Sequence, residues 1–185
     1  MRHFISKRLH EWVSVFVRGS FQIDQQHFMP ETKEPFDFCL FTRNSCMRAG
    51  TRYNTRGVND DGNVANFWET EQLVVMQDTL ISFVQIRGSV PIFWEEKVGG
   101  KLTITRPPEG SAPAFRKHVE EILKLYKSLH IVNLLTKGKS SEESVTQGYE
   151  EQLVSYTTGT IIYEASAKKS MLATIQERQR QVQLL

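Results

Sequence analysis

The 185-residue sequence has no apolar run long enough for a membrane span or the core of a signal peptide, so contact with a membrane is expected to be peripheral. Cysteine is scarce. Cys39 and Cys46 lack the spacing of a metal site and point to a reducing, cytoplasmic setting; no metal and no cofactor is expected. An excess of one charge is also missing. The 23 Lys and Arg face 21 Asp and Glu, and a formal charge of +2 is too mild to imply nucleic acid as a partner. Internal repeats and low-complexity blocks are absent too. With 39% hydrophobic and 24% charged residues, what remains is a globular composition of one-domain size, able to bury a sizeable core if its pieces are complementary.

The stretch from Arg43 to Glu96 is the least generic part of the chain. Arg48, Arg52 and Arg56 recur every four residues, with Gly50 and Gly57 between or just after them, so guanidinium groups can converge while the backbone stays free to bend. That is chemistry suited to an anion. The run Asn59 to Asn63, NDDGN, predicts a tight turn, because Asp and Asn side chains hydrogen-bond their own backbone and Gly62 accepts a positive φ. Beyond it, VANFWETEQLVVM and ISFVQIRGSVPIFW are rich in β-branched and aromatic residues and predict strands. The arginines have an alternative use that needs no ligand: pairing with Asp60, Asp61, Glu69 and Glu71 on a solvated face.

Elsewhere, His27 to Pro35, with two prolines, reads as the connection between two earlier strands, and Gly99 with Gly100 as a further turn. Pro107 and Pro108 are expected to hold off regular structure until a helix that starts near Ser111 and Pro113. The stripe Phe115, Val119, Ile122, Leu123, Tyr126 and Leu129 is then core. His118, beside that stripe, reads as structural rather than catalytic. Ile131 to Thr136 predicts a buried strand, and Ser140 with Glu143 a capping box for a helix through Tyr156. From Thr157 the pattern changes, and residues 157–185, strong in helix formers but loosely periodic, are expected to form a divergent, helical tail.

RAGTRYNTRGVNDDGNVANF, ETEQ and SFVQIRGSVPIFWE together resemble the Sac-domain phosphoinositide phosphatases, the group that includes the Sac domain of synaptojanin. The resemblance thins through APAFRKHVEEILKLYKSLHIVNLL and GYEEQL, and upstream through EWVSVFVRGSFQI and FDFCLFTRNSC, covering roughly residues 11 to 155. It implies an α/β fold with a mixed central sheet and packed helices, part of a Sac-type catalytic domain related to the cysteine phosphatases. That domain is expected to be incomplete, with residues 1–156 a partial Sac domain and 157–185 the tail. The implied reaction removes phosphate from phosphatidylinositol monophosphates and the 3,5-bisphosphate, at the cytosolic face of membranes, through a cysteinyl-phosphate intermediate. Under this resemblance Arg48, Arg52 and Arg56 become candidate substrate contacts and Asn63, Glu69 and Glu71 candidate supports; individual roles are not assigned by the match. Arg87 and Trp94 read as architectural.

The family's nucleophile loop, of the form R-x-N-C-x-D-C-L-D-R-T, does not occur in these 185 residues. Cys46 to Arg52 fits C-x5-R literally, but a phosphate-cradling loop needs a helix N-terminus after it, and YNTRGVNDDGN supplies turns. No catalytic residue is therefore assigned. The chain is expected to be inactive alone, either as a fragment of the enzyme or as a non-catalytic phosphoinositide-binding or interaction protein, and it indicates no protein partner. The purified, folded chain is expected to release phosphate from phosphatidylinositol 4-phosphate only at background. Measurable release that Cys46→Ser abolishes would overturn this.

Overall fold

In the computed structural model the chain divides into two units, residues 1–46 with 67–87 and residues 47–66 with 88–185. The structure describes residues 17–29, 31–51, 54–97, 99–135, 140–156 and 160–165.

The first unit is an antiparallel meander of β1 (Gly19–Phe28), β2 (Pro35–Asn44), β3 (Trp68–Val75) and β4 (Leu80–Arg87), hydrogen-bonded in that order. Short turns close it: Met29 N–H bonds Glu34 O at 3.0 Å between β1 and β2, and Met76 N–H bonds Thr79 O at 2.9 Å between β3 and β4. Register sets Phe41 opposite Phe21 on one side and Glu71 on the other, and Cys39 opposite Ile23 and Leu73. The Phe21 and Phe41 rings lie 4.3 Å apart. No described residue of this unit is fully buried; Leu80 and Phe83 stay 64% and 50% exposed. The strand expected to run on to Trp94 instead stops at Arg87. Pro91 has no donor for a ladder, and Ser89 N–H turns to Ala65 O at 2.9 Å.

The second unit holds the dense core. The hairpin β5 (Trp94–Lys97) and β6 (Lys101–Ile104) turns at Gly99 and Gly100, both at positive φ. Helix α1 (Pro108–Tyr126), β7 (Ser128–Asn133), α2 (Ser140–Ser155) and β8 (Thr160–Ala165) follow, with β7 and β8 parallel. Antiparallel and parallel pairing thus both occur in this α/β chain, each in its own sheet. Helix α1 begins three residues earlier than the sequence suggests: Pro107 occupies the cap position and Pro108 the first turn. A proline there forfeits no hydrogen bond, because the first helical N–H groups are unpartnered in any helix. Phe115, Val119 and Tyr149 form the packed centre, with Leu123, Leu129, Ile131, Leu153, Ile161 and Tyr163 against it. Phe115 and Tyr149 meet edge-on at 5.9 Å, as do Tyr149 and Tyr163 at 6.0 Å. Residues 160–165, read from sequence as part of a helical tail, are the strand β8; residues 166–185 and 1–16 lie outside the described residues.

The segment 57–65 is woven into this core. Val58 and Val64 bridge each other, Val58 N–H bonds Ile92 O at 3.1 Å, and both valines and Ala65 are buried. The NDDGN turn forms as expected: Asn59 Oδ1 accepts Asp61 N–H and Asn63 N–H at 3.2 and 2.8 Å, and Gly62 takes a φ of +84°. Its outer side is clamped by α1 and by Arg106, which precedes that helix. Arg106 reaches Asp60 with two N–H groups at 2.5 and 3.2 Å while stacking 3.7 Å above the Phe93 ring, Lys117 Nζ donates to Asp60 O at 2.8 Å, and His118 Nδ1 lies 3.0 Å from Gly62 O. The Asp60 carboxyl is held below its usual range by the Arg106 hydrogen bonds.

Two outcomes follow from this packing. Gly57 combines a φ of +66° with a hydrogen where a Cβ would stand 2.5 Å from Ile92 O, whereas Gly99 has φ +89° and open space around it. Gly57→Ala is expected to cost roughly 1–3 kcal/mol in backbone strain plus the clash, and so to lower urea stability more than Gly99→Ala. Equal losses would show that the close approach does not matter. Burial lowers the His118 pKa from 6.5 to about 4, outweighing the opposing effect of the Gly62 carbonyl. Between those values the unfolded chain binds a proton that the folded chain refuses, so stability falls as pH drops from about 6.5 to about 4, by at most ~1.4 kcal/mol per pH unit. Urea midpoints across this window should show the slope, and His118→Gln should flatten it; an unchanged slope in the variant sinks the assignment.

Candidate functional site

The loop from Met47 to Asn66 carries the arginines, and its own main chain shapes it. Thr51 O accepts both Asn54 N–H and Thr55 N–H at 3.0 Å, which makes a compact turn, and Gly50 lies so close to Thr55 that a Cβ there would stand 2.1 Å from Thr55 Oγ1. Arg48 spans the loop, donating from NH2 to the carbonyl of Arg56 at 3.0 Å. Its Nε is buried with no hydrogen-bond partner, an unusual state for a charged donor. Asn66 Nδ2 donates to Thr55 O at 3.2 Å, and Gly57 N–H to Ser89 Oγ at 2.8 Å, fastening the loop's end.

Arg56 is engaged by a partner from the hairpin. Its Nε and NH2 both donate to Glu96 Oε2, at 3.0 and 2.5 Å, and its guanidinium lies 5.9 Å from the Trp94 ring centre. The two side chains are 18% and 32% exposed, so solvent screens this pair less than a fully exposed one. Asn63 joins the site through its backbone, donating to Asn59 Oδ1 and accepting from Asn59 N–H. Arg52 lies outside the described residues.

Glu69 and Glu71 belong to β3 in the first unit. Both carboxylates receive Arg43 NH2, Glu71 at 2.9 Å, and Ser82 Oγ donates to Glu71 Oε1 at 2.9 Å. Arg43 stands directly opposite Glu69 in the register, and Glu71, two residues on, shares its face. The structure therefore brings Arg48, Arg56 and Asn63 into one unit and gives Glu69 and Glu71 an arginine of their own in the other. Asp60, another acid considered for the loop arginines, takes Arg106. Arg43, Glu96 and Arg106 are the partners that sequence reasoning missed. Arg43 had a signal, since two acids at alternate positions of one strand call for a cross-strand cation. Glu96 and Arg106 had none, being brought in by tertiary contact from 40 and 46 residues away.

Among the described residues no group of three or more His, Cys, Asp or Glu is arranged to hold a metal, and no helix is long and apolar enough to cross a membrane. Cys46 is exposed and followed by turns rather than a helix.

Comparison with known proteins gives these observations a lineage. Human Synaptojanin-1 is 49% identical over 119 residues, which is 62% of this chain and 8% of the relative. The Schizosaccharomyces pombe inositol-1,4,5-trisphosphate 5-phosphatase 1 is 44% identical over 118 residues, 62% of this chain and 11% of the relative. Zebrafish (Danio rerio) phosphatidylinositide phosphatase SAC2 is 33% identical over 177 residues, 82% of this chain and 16% of the relative. The chain thus spans under a fifth of the length of these curated relatives. The SacI homology domain matches residues 1–178, and with a match running through both units the chain belongs to the SacI homology domain family.

Proposed function

We propose that the chain is part of a Sac-type phosphoinositide phosphatase and that its arginine loop meets the headgroup phosphates of phosphatidylinositol monophosphates or the 3,5-bisphosphate at the cytosolic face of a membrane. The observation that carries this reading is the family membership, with relatives named as phosphatases of phosphatidylinositides and inositol phosphates. Arg48, Arg52 and Arg56 are the proposed headgroup contacts. Arg48 lends support only as a guanidinium that its own loop holds in place through the Arg56 carbonyl and that has no carboxylate among its hydrogen-bond partners. Asn63 supports the site by holding the adjoining turn, whereas Glu69 and Glu71 hold Arg43 within the sheet of the first unit. Removal of phosphate through a cysteinyl-phosphate intermediate would fall to a nucleophile loop of the family type, which these 185 residues do not contain.

A second reading, a non-catalytic scaffold in which the arginines only brace the fold, is favoured by the Arg56–Glu96 pair. Liposome flotation separates the two. Under the first reading the folded chain binds vesicles containing phosphatidylinositol 4-phosphate in preference to plain ones, weakly and less so at higher salt, because a part-exposed site is screened within ~8 Å at physiological ionic strength. An Arg52→Ala, Arg56→Ala variant of matched thermal stability is expected to bind about tenfold more weakly, the loss of one or two charge-assisted hydrogen bonds. Equal binding by the two proteins would remove the headgroup assignment and leave the bracing role.

A further inference from the structure

The sheet of the first unit has two edges that differ in kind. β1 carries a register irregularity between Asp24 and His27, and these two side chains pair at 2.8 Å. A bulge and charge on an edge strand oppose pairing with another chain. β4 has neither: Leu80 to Ile86 contains no charge and no proline, and Leu80, Ile81 and Phe83 are 64%, 39% and 50% exposed. Half of the main-chain groups of such an edge strand point away from its neighbour. Among the described residues, none of 80–87 makes a main-chain hydrogen bond beyond its ladder with β3.

We propose that β4 pairs antiparallel with β4 of a second copy of this chain, about a two-fold axis at Phe83, joining two four-stranded sheets into one. This register sets the apolar ends of β4 against each other and keeps Arg87, its one charge, away from apolar partners. Leu80 stands opposite Ile86, Ile81 opposite Gln85, Ser82 opposite Val84, Phe83 opposite its counterpart, and Arg87 opposite Thr79. Opposite residues are an even number of positions apart, so side chains that share a face in one copy meet the same face in the other. No two charges meet, and an aromatic pair forms at the centre. A register centred on Val84 would instead set Ile81 against Arg87 and Phe83 against Gln85. The shared edge is ~27 Å long, and its main-chain hydrogen bonds supply the affinity while side-chain pairing supplies the choice of partner. A two-fold axis uses the β4 edges of both copies, and the bulge and charge at Asp24 and His27 interrupt the β1 edge, so association closes at the dimer and does not run on into fibres.

Sedimentation equilibrium over a range of concentrations is expected to show the 185-residue chain in reversible monomer–dimer exchange. Phe83→Lys and Phe83→Glu each place like charges at the axis and are expected to weaken the dimer at least tenfold, with unchanged far-UV circular dichroism since Phe83 is half exposed. Mixing the two variants should restore a heterodimer. Amide exchange of residues 80–86 in the wild-type chain, which needs no variant, should slow as the dimer forms. A wild-type monomer at every concentration, open-ended association, a dimer unaffected by either charge, variants that associate no better mixed than apart, or unaltered exchange in 80–86 would each overturn the proposal.

Discussion

The close approach of Gly57 to Ile92 is the constraint on which the second unit depends. A side chain at position 57 would collide with the Ile92 carbonyl, and only with that space empty can Val58 donate to Ile92 O and bridge to Val64. From that seam the rest is placed. Ala65 closes back on Gly57 O and receives Ser89, so the hairpin at Trp94 and the turn at Asn59 leave the core in fixed directions. A second tight contact does similar work on the other side: a Cβ at Gly148 would stand 3.1 and 3.2 Å from Ile104 and Ile92, so α2 lies directly on the hairpin.

Cations in this chain are distributed rather than pooled. Arg43 serves two carboxylates within a sheet, Arg56 serves one carboxylate beside an indole, Arg106 serves one beside a phenyl ring, and Arg48 serves a carbonyl. Only the last of these leaves charge without a countercharge among its hydrogen-bond partners. A loop of guanidinium groups is therefore not by itself an anion trap. Its capacity depends on which acids the fold has already brought to it, and the acids that matter here came from distant strands.

Local chemistry was legible in the sequence where the cause is local. NDDGN formed its turn because Asn59 and Gly62 act within five residues, Phe115, Val119, Ile122 and Leu123 became core because their spacing is that of a helix, while Leu129, read as the end of that stripe, reaches the core from β7, and His118 lies against a carbonyl as a structural histidine would. The strand ends and helix start were shifted for equally physical reasons, a proline at position 91 without a donor and one at 108 that needs none. The partners of the loop arginines were not legible, because nearness along the chain suggested Asp60, Glu69 and Glu71 for them. Register and tertiary packing decided otherwise, with Arg43 reaching the two glutamates first and Glu96 arriving from the hairpin. β8 escaped notice because TIIYEA is short and its pairing partner lies 32 residues earlier, beyond a helix.

The chain passes between the two units three times, after residues 46, 66 and 87. Half of the meander is made before the arginine loop and half after it, so β3 and β4 cannot complete their sheet until the loop has been synthesised, while the loop finds its own core only when Ile92 and α1 follow. Neither unit is a contiguous piece of sequence. A cut at any one point leaves at least one of them in fragments, yet the arginine loop leaves and re-enters the meander at a single place, because Asn44 at the end of β2 stands opposite Trp68 at the start of β3.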